Sequence, residues 1–92
     1  MLEKEIEKYL VKRMKEIGGE CYKWSSPGNR GVPDRICIFP SGKVVFVELK
    51  APGKKPTKLQ SLVGSRLAEL WQHWAWVNSK EGVDALIEVH NC

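Results

Sequence analysis

GVPDRICIFPSGKVVFVELKAPGKKP, residues 31–56, decides how this chain folds. Two apolar runs, 34–39 and 43–50, flank Pro40-Ser41-Gly42 and read as the arms of a β-hairpin. The second arm, Val44 to Leu49, is apolar on both faces except at Glu48, which marks a central strand covered on both sides. Asp34, Glu48 and Lys50 sit at the ends of these arms. A buried charge costs free energy unless it finds a partner, so the register between the arms matters. A two-residue turn at Ser41-Gly42 would set Asp34 against Leu49 and point the two acids to opposite faces. A three-residue loop, Pro40-Ser41-Gly42, sets Asp34 against Glu48 on one face. Proline first and glycine third suit a type I turn that ends left-handed, so the second register is expected. Lys50 follows Glu48 by two and shares its face.

Working outward, Leu2, Ile6, Leu10, Met14 and Ile17 draw one apolar stripe and predict a helix over 2–17, stopped by Gly18-Gly19. Residues 21–24, CYKW, read as a short strand, and 25–33, SSPGNRGVP, as a loop. After the hairpin, KAPGKKP is a rigid basic loop. Thr57 begins a second helix to about Leu70, with Leu59, Leu62, Val63, Leu67 and Leu70 at helical spacing. HWAWVN, 73–78, reads as a strand and 81–88 as a last helix. Helix, three strands, helix, strand, helix is an α/β order: a mixed central sheet flanked by helices. At 92 residues, without repeat or linker, the chain is read as a single domain over 1–92 with a thin core.

The net charge of +4 is mildly basic and suits a partner with phosphates, though it is weak evidence alone. Cys21, Cys37 and Cys92 are odd in number and lack Cys-x-x-Cys spacing, which argues against a disulfide framework and a zinc site. Two packed thiols and one loose terminal thiol suggest a reducing compartment. The charged start, MLEKEIEKYLVKRMKE, is not a signal peptide. No apolar run approaches the ~18 residues that span a bilayer. An intracellular, cytoplasmic protein is expected, with no membrane partner.

Side by side, the Asp34 and Glu48 carboxylates repel, and a shared proton or a shared cation relieves them. Oxygen ligands favour a hard cation, Mg²⁺ first and Mn²⁺ next, and magnesium needs only one or two protein carboxylates besides water and substrate phosphate. Lys50 alongside could handle a water or a phosphate charge. Such a group would hydrolyse a phosphodiester. Spacing alone equally allows a plain salt-bridged hairpin, with Glu48 paired to Lys50 or Lys43.

Three blocks carry a resemblance: Gly31-Val32-Pro33-Asp34-Arg35, then Val47-Glu48-Leu49-Lys50-Ala51-Pro52-Gly53, then Gln60. Together they resemble the VRR-NUC (virus-type replication-repair nuclease) family of the PD-(D/E)xK nuclease superfamily. The likeness runs from EKEIEKYL to SKEGVDALI. It implies a restriction-endonuclease-like αβββαβα core, action on DNA with Mg²⁺ or Mn²⁺, no nucleotide cofactor, and a viral or bacterial source. Stand-alone members are similar to Holliday-junction resolvases and act as homodimers, so branched DNA and a second copy are the expected partners. Residue by residue, the resemblance implies metal ligation by Asp34, Glu48 and the Leu49 carbonyl, with Lys50 as the catalytic lysine. It sets Gln60 near the metal and an acid of the first helix at the site. Glu3 is the choice for that acid, because it lies on the core-facing side; Glu7 is the alternative. Rival readings stand beside these. Thr57-x-x-Gln60 is also a capping box, which competes with a catalytic Gln60. Glu3 also suits the first turn of any helix.

Arg30, Arg35, Lys54, Lys55 and Lys58, with Lys50, cluster in sequence around these positions and would line a track for the DNA backbone; the plain alternative is a solvated lysine loop. Lys4, Lys8, Lys12 and Lys15 read as a solvated helix face. No base-reading element is apparent, so shape recognition is expected. Trp71, Trp74 and Trp76 are many indoles for so small a core; core packing or a homodimer interface would cover them, with stacking of nucleotide bases the lesser alternative. Trp71 departs from the family pattern, where ELG ends this helix and here ELW stands. His73 and His90 are expected on the surface. A nickase, a flap nuclease or exonuclease, and a non-catalytic DNA-binding module are the alternative functions.

Overall fold

The computed structural model describes residues 1–92 in full. The elements are α1 (Glu3–Glu16), β1 (Glu20–Lys23), β2 (Arg35–Ile38), β3 (Val44–Leu49), α2 (Lys58–Glu69), β4 (His73–Val77) and α3 (Lys80–His90). The four strands form one sheet in the order β1-β2-β3-β4. β1, β2 and β3 are antiparallel neighbours, and β4 runs parallel to β3. The αβββαβα order and the mixed sheet are those expected from the sequence.

The hairpin takes the three-residue loop. Arg35 pairs with Val47 and Ile36 with Phe46. At the loop, the Phe39 N–H donates to the Lys43 carbonyl at 2.8 Å and the Gly42 N–H to the Phe39 carbonyl at 2.8 Å. Gly42 has φ +93°, the left-handed conformation that closes such a loop and that a β-carbon would strain.

The two faces of the sheet are covered unequally. On one face Cys37, Val45, Val47, Leu49 and Val77 meet Ile6, Leu10 and Met14 of α1 and Val83, Leu86 and Ile87 of α3, none more than 6% exposed. At helical spacing these residues form the stripes that hold both helices on this face. Asp84 of α3 ties them further, accepting from the Tyr9 hydroxyl at 2.8 Å and from Arg13 Nε at 3.1 Å. The other face carries Tyr22, Trp24, Ile36, Phe46, Trp74 and Trp76, and only α2 lies over it, against β4. Gly64, buried in α2, rests on the Trp74 indole; a β-carbon there would overlap the ring. Leu59, Leu62 and Leu70 of this helix and its end remain exposed.

α2 ends at Trp71 with the hydrogen bonds a glycine would make: Trp71 N–H to Ala68 carbonyl at 3.0 Å and Gln72 N–H to Leu67 carbonyl at 2.9 Å. Trp71 reaches them with φ +64°, and its side chain is 92% exposed. The missing glycine therefore leaves the turn geometry intact and adds backbone strain. One expectation is corrected. His90 is half-buried, edge-on to His73 (5.4 Å) and tilted against Phe39 (6.0 Å), with Nδ1 buried and unpartnered. Burial, then the nearby Lys43 and His73, holds its pKa below the ordinary histidine range. No helix is long and apolar enough to cross a membrane.

Candidate active site

Continued one step past Arg35 and Val47, the hairpin register sets Asp34 opposite Glu48. Hydrogen-bonded and non-hydrogen-bonded pairs alternate along an antiparallel ladder, and Phe39 with Lys43 is a hydrogen-bonded pair. Asp34 and Glu48 therefore fall at a non-hydrogen-bonded pair, where the backbones come closest, about 4.5 Å between Cα atoms. The hairpin brings the two carboxylates together on the thinly covered face.

The next step sets Pro33 opposite Leu49, at a position where partners would exchange two backbone hydrogen bonds. Proline has no N–H to give. The Leu49 N–H instead donates to Asp34 Oδ2 at 2.8 Å, which fixes that carboxylate. The Leu49 carbonyl faces the same edge and finds no donor in Pro33. The Pro-Asp pair thus does two things: it anchors an acid on a strand N–H and frees a carbonyl beside it.

Glu48 is 2% exposed. Its Oε2 accepts from Gln60 Nε2 at 2.8 Å and lies 3.9 Å from Lys50 Nζ; its Oε1 is buried with no hydrogen-bond partner. Burial above all, then the facing Asp34 carboxylate, pushes its pKa up to about 8, with Lys50 opposing and Glu3 adding to the rise. An orphaned buried oxygen, a facing carboxylate and a free carbonyl are hard oxygen donors, and they fit a cation such as Mg²⁺ or Mn²⁺.

Gln60 both caps and reaches the acids. Its Oε1 accepts from the Thr57 N–H at 2.8 Å, its own N–H donates to Thr57 Oγ1 at 3.2 Å, and its Nε2 turns to Glu48. The cap and the site were rival readings of the sequence. An amide has a separate acceptor and donor end, so the two are compatible.

Of the helix acids, Glu7 is committed elsewhere, accepting from Arg35 Nε at 2.8 Å. Glu3 is the one whose charge acts on Glu48. It is exposed and stands back from the pair, for no three acidic, histidine or cysteine side chains converge as a metal cluster. Arg35 departs from its expected place. One residue on from Asp34, it points to the opposite face, where Glu7 and the Cys21 carbonyl engage it, so its charge is not free for a phosphate on the acidic side. Arg30, Lys54, Lys55 and Lys58 are exposed, and the Lys50 side chain is mostly buried.

One residue escaped the sequence reading. The Trp24 N–H donates to the Asp34 carbonyl at 2.9 Å, continuing the β1–β2 register. Glu48 pairs with Trp76 on the other side. Trp24, Asp34, Glu48 and Trp76 therefore form one row across the sheet, an indole at each end and the acids between. Alternation in CYKW was the only signal for Trp24, and it does not reveal the partner across a long loop.

Comparison with known proteins decides the family. The model superposes on a solved structure described as a VRR_NUC domain with a TM-score of 0.88, at 34% sequence identity, over 96% of each chain. The chain is also 54% identical over 68 residues to "Putative nuclease p44" of Acyrthosiphon pisum secondary endosymbiont phage 1, spanning 74% of this chain and 73% of that protein. The chain belongs to the VRR-NUC nuclease family. No family model matches the sequence. In this VRR-NUC domain the acids, the lysine and the glutamine that carried the resemblance meet at one end of the β2–β3 hairpin, where α2 begins.

Proposed function

We propose that this VRR-NUC protein is a divalent-metal-dependent, structure-selective DNA endonuclease that resolves four-way junctions as a homodimer. The observation that carries the reading is the buried, unpartnered Glu48 Oε1 facing Asp34. Asp34, Glu48 and the Leu49 carbonyl are the groups that would hold Mg²⁺ or Mn²⁺. The bound cation supplies Lewis-acid polarisation of the scissile phosphate and lowers the pKa of a water. Gln60 holds Glu48 Oε2, which leaves Oε1 free for the cation. Lys50, held on the same face by strand alternation, orients the attacking water and offsets charge on the phosphoryl oxygens. Glu3, whose charge acts on Glu48, would accept a hydrogen bond from water entering the site.

Lys54, Lys55, Lys58 and Arg30 would follow the DNA backbone and carry no sequence information. The homodimer reading is supported by exposed apolar groups on and after α2, Leu62, Leu70 and Trp71. A two-fold axis would give two cutting sites for the paired strands of a junction.

The test is cleavage of a labelled synthetic four-way junction and a linear duplex with Mg²⁺, Mn²⁺ or EDTA. Cutting of the junction with either metal and none in EDTA is expected. Asp34→Asn and Lys50→Ala should lose cutting and keep binding. Retained cutting in both variants rejects the assignment, binding without cleavage in any metal favours a DNA-binding module, and nicks without paired cuts favour a nickase. Sedimentation as a monomer at micromolar concentration rejects the dimer.

A further inference from the structure

Loop 25–33 and the first turns of α2 line an open cleft of about 600 Å³ that reaches the acidic pair through Trp24, the backbone neighbour of Asp34. That volume is in the range of sites that hold a small organic group. Trp24 lines it together with Ser26, Asn29 and Arg30 from the loop and Leu59 and Val63 from α2. Its walls are preset. The loop turns back on itself through Asn29, whose N–H donates to the Ser26 carbonyl at 3.0 Å and whose Nδ2 donates to Ser26 Oγ at 3.0 Å. Gly31, at φ +83°, brings the loop against α2 so closely that a β-carbon would stand 2.8 Å from Leu59 Cγ. Trp24 is braced by Phe46, ring centroids 5.2 Å apart. The Trp24 backbone lies one strand from Asp34, a strand spacing of about 4.8 Å.

We infer that this cleft takes one unpaired nucleotide of the DNA, next to the phosphate being cut, its base stacked on Trp24 and its phosphate facing Arg30. The inference rests on the nuclease reading of the neighbouring acids. The lining suits that occupant: an aromatic ring and aliphatic side chains for a flat base, a hydroxyl and an amide for its polar edge, and a guanidinium for the anionic link. A base inside a duplex is stacked on both faces and paired at its edge, so only a splayed nucleotide can present its ring to Trp24. Branch points and flaps supply such nucleotides, which gives structure selectivity a physical cause without base-specific contacts. Stacking on an indole is tolerant of base identity.

The test measures binding, in EDTA, of a fluorescently labelled oligothymidylate and of a duplex of equal length. Trp24→Ala should weaken binding of the oligothymidylate about ten- to hundred-fold. Trp24→Phe, which keeps a ring, should restore it to within a few-fold, and duplex binding should change by less than about two-fold in both. Unchanged binding of the single strand by a folded Trp24→Ala protein overturns the inference, and so does equal loss on both DNAs. Should Trp24→Ala fail to fold in a thermal melt, the wild-type protein is irradiated with an oligothymidylate carrying one 5-iodouracil and its peptides are mapped. A crosslink at Trp24 is expected; crosslinks only outside 24–32 overturn the inference. No turnover is needed in any arm. A protein that stacks the base as described yet cuts no DNA in Mg²⁺ or Mn²⁺ loses the nuclease reading and keeps the cleft. A protein that cuts junctions while Trp24→Ala binds single strands normally keeps the nuclease reading and loses the cleft.

Discussion

The two faces of the central sheet are built from alternate residues of the same strands and have opposite properties. Val45, Val47 and Leu49 of β3 face α1 and α3 and are sealed in aliphatic packing. Phe46 and Glu48, their neighbours in sequence, face the side that only α2 covers, among indoles and charged groups. The sealed face resembles a protein interior, where a lost methylene is felt at once. The open face keeps the costly group of the site, a buried carboxyl with an orphaned oxygen. Such costs persist where they serve a site, and the sealed face supplies the rigidity that holds them.

Substitutions on either side should break this contrast differently. The largest effect expected is Lys50→Ala on the open face: turnover on a cleavable DNA should fall about 10²–10⁴-fold, with the melting temperature nearly unchanged. A comparable loss of both would mean that the open face is structural. Leu10→Ala on the sealed face should act the other way, costing about 2–5 kcal/mol in a urea titration while the protein that remains folded cuts normally per molecule.

Glu48 ties the two properties to pH. Its folded pKa of about 8 lies above the ordinary value of 4.5. The folded protein therefore holds a proton that the unfolded chain has lost between these values. The stability from that proton is fully present below about 4.5 and is lost as pH rises through about 8. Metal-free protein should thus melt at falling temperature across this window, and Glu48→Gln should flatten the fall. Added Mg²⁺ should displace the proton, so its binding should tighten with rising pH up to about 8 and then level. A metal affinity that does not vary with pH would detach the cation from Glu48. The smallest change expected is at Trp71. Trp71→Gly should stabilise the folded chain by about 1 kcal/mol by relieving the left-handed strain. If this indole lies in a dimer interface, the same substitution should weaken self-association in sedimentation.

Much of the site was legible before any coordinates. Proline first and glycine third in a three-residue loop specify the hairpin register, and the register places Asp34 against Glu48. Strand alternation adds Lys50 to their face. It also turns Arg35 away, which sequence proximity to Asp34 obscured: neighbours in a strand are on opposite sides of the sheet. Gln60 was readable as a cap or as a site residue, but its service as both needed the distance to Glu48. The helical period favoured Glu3 for its core-facing side and kept Glu7 as the alternative, because four residues apart they share a face. In the structure Arg35 engages Glu7, while Glu3 stands exposed.

By itself the sequence determined the order of elements, the hairpin register and the acidic pair, because each follows from local periodicity and turn chemistry within a few residues. Only the tertiary structure decided the contacts between distant segments: Trp24 beside Asp34 across loop 25–33, His90 against His73, and the cleft between that loop and α2. The cause is physical. A strand's own pattern says which residues share a face, but which strand or helix lies beside it is settled by packing the whole chain at once.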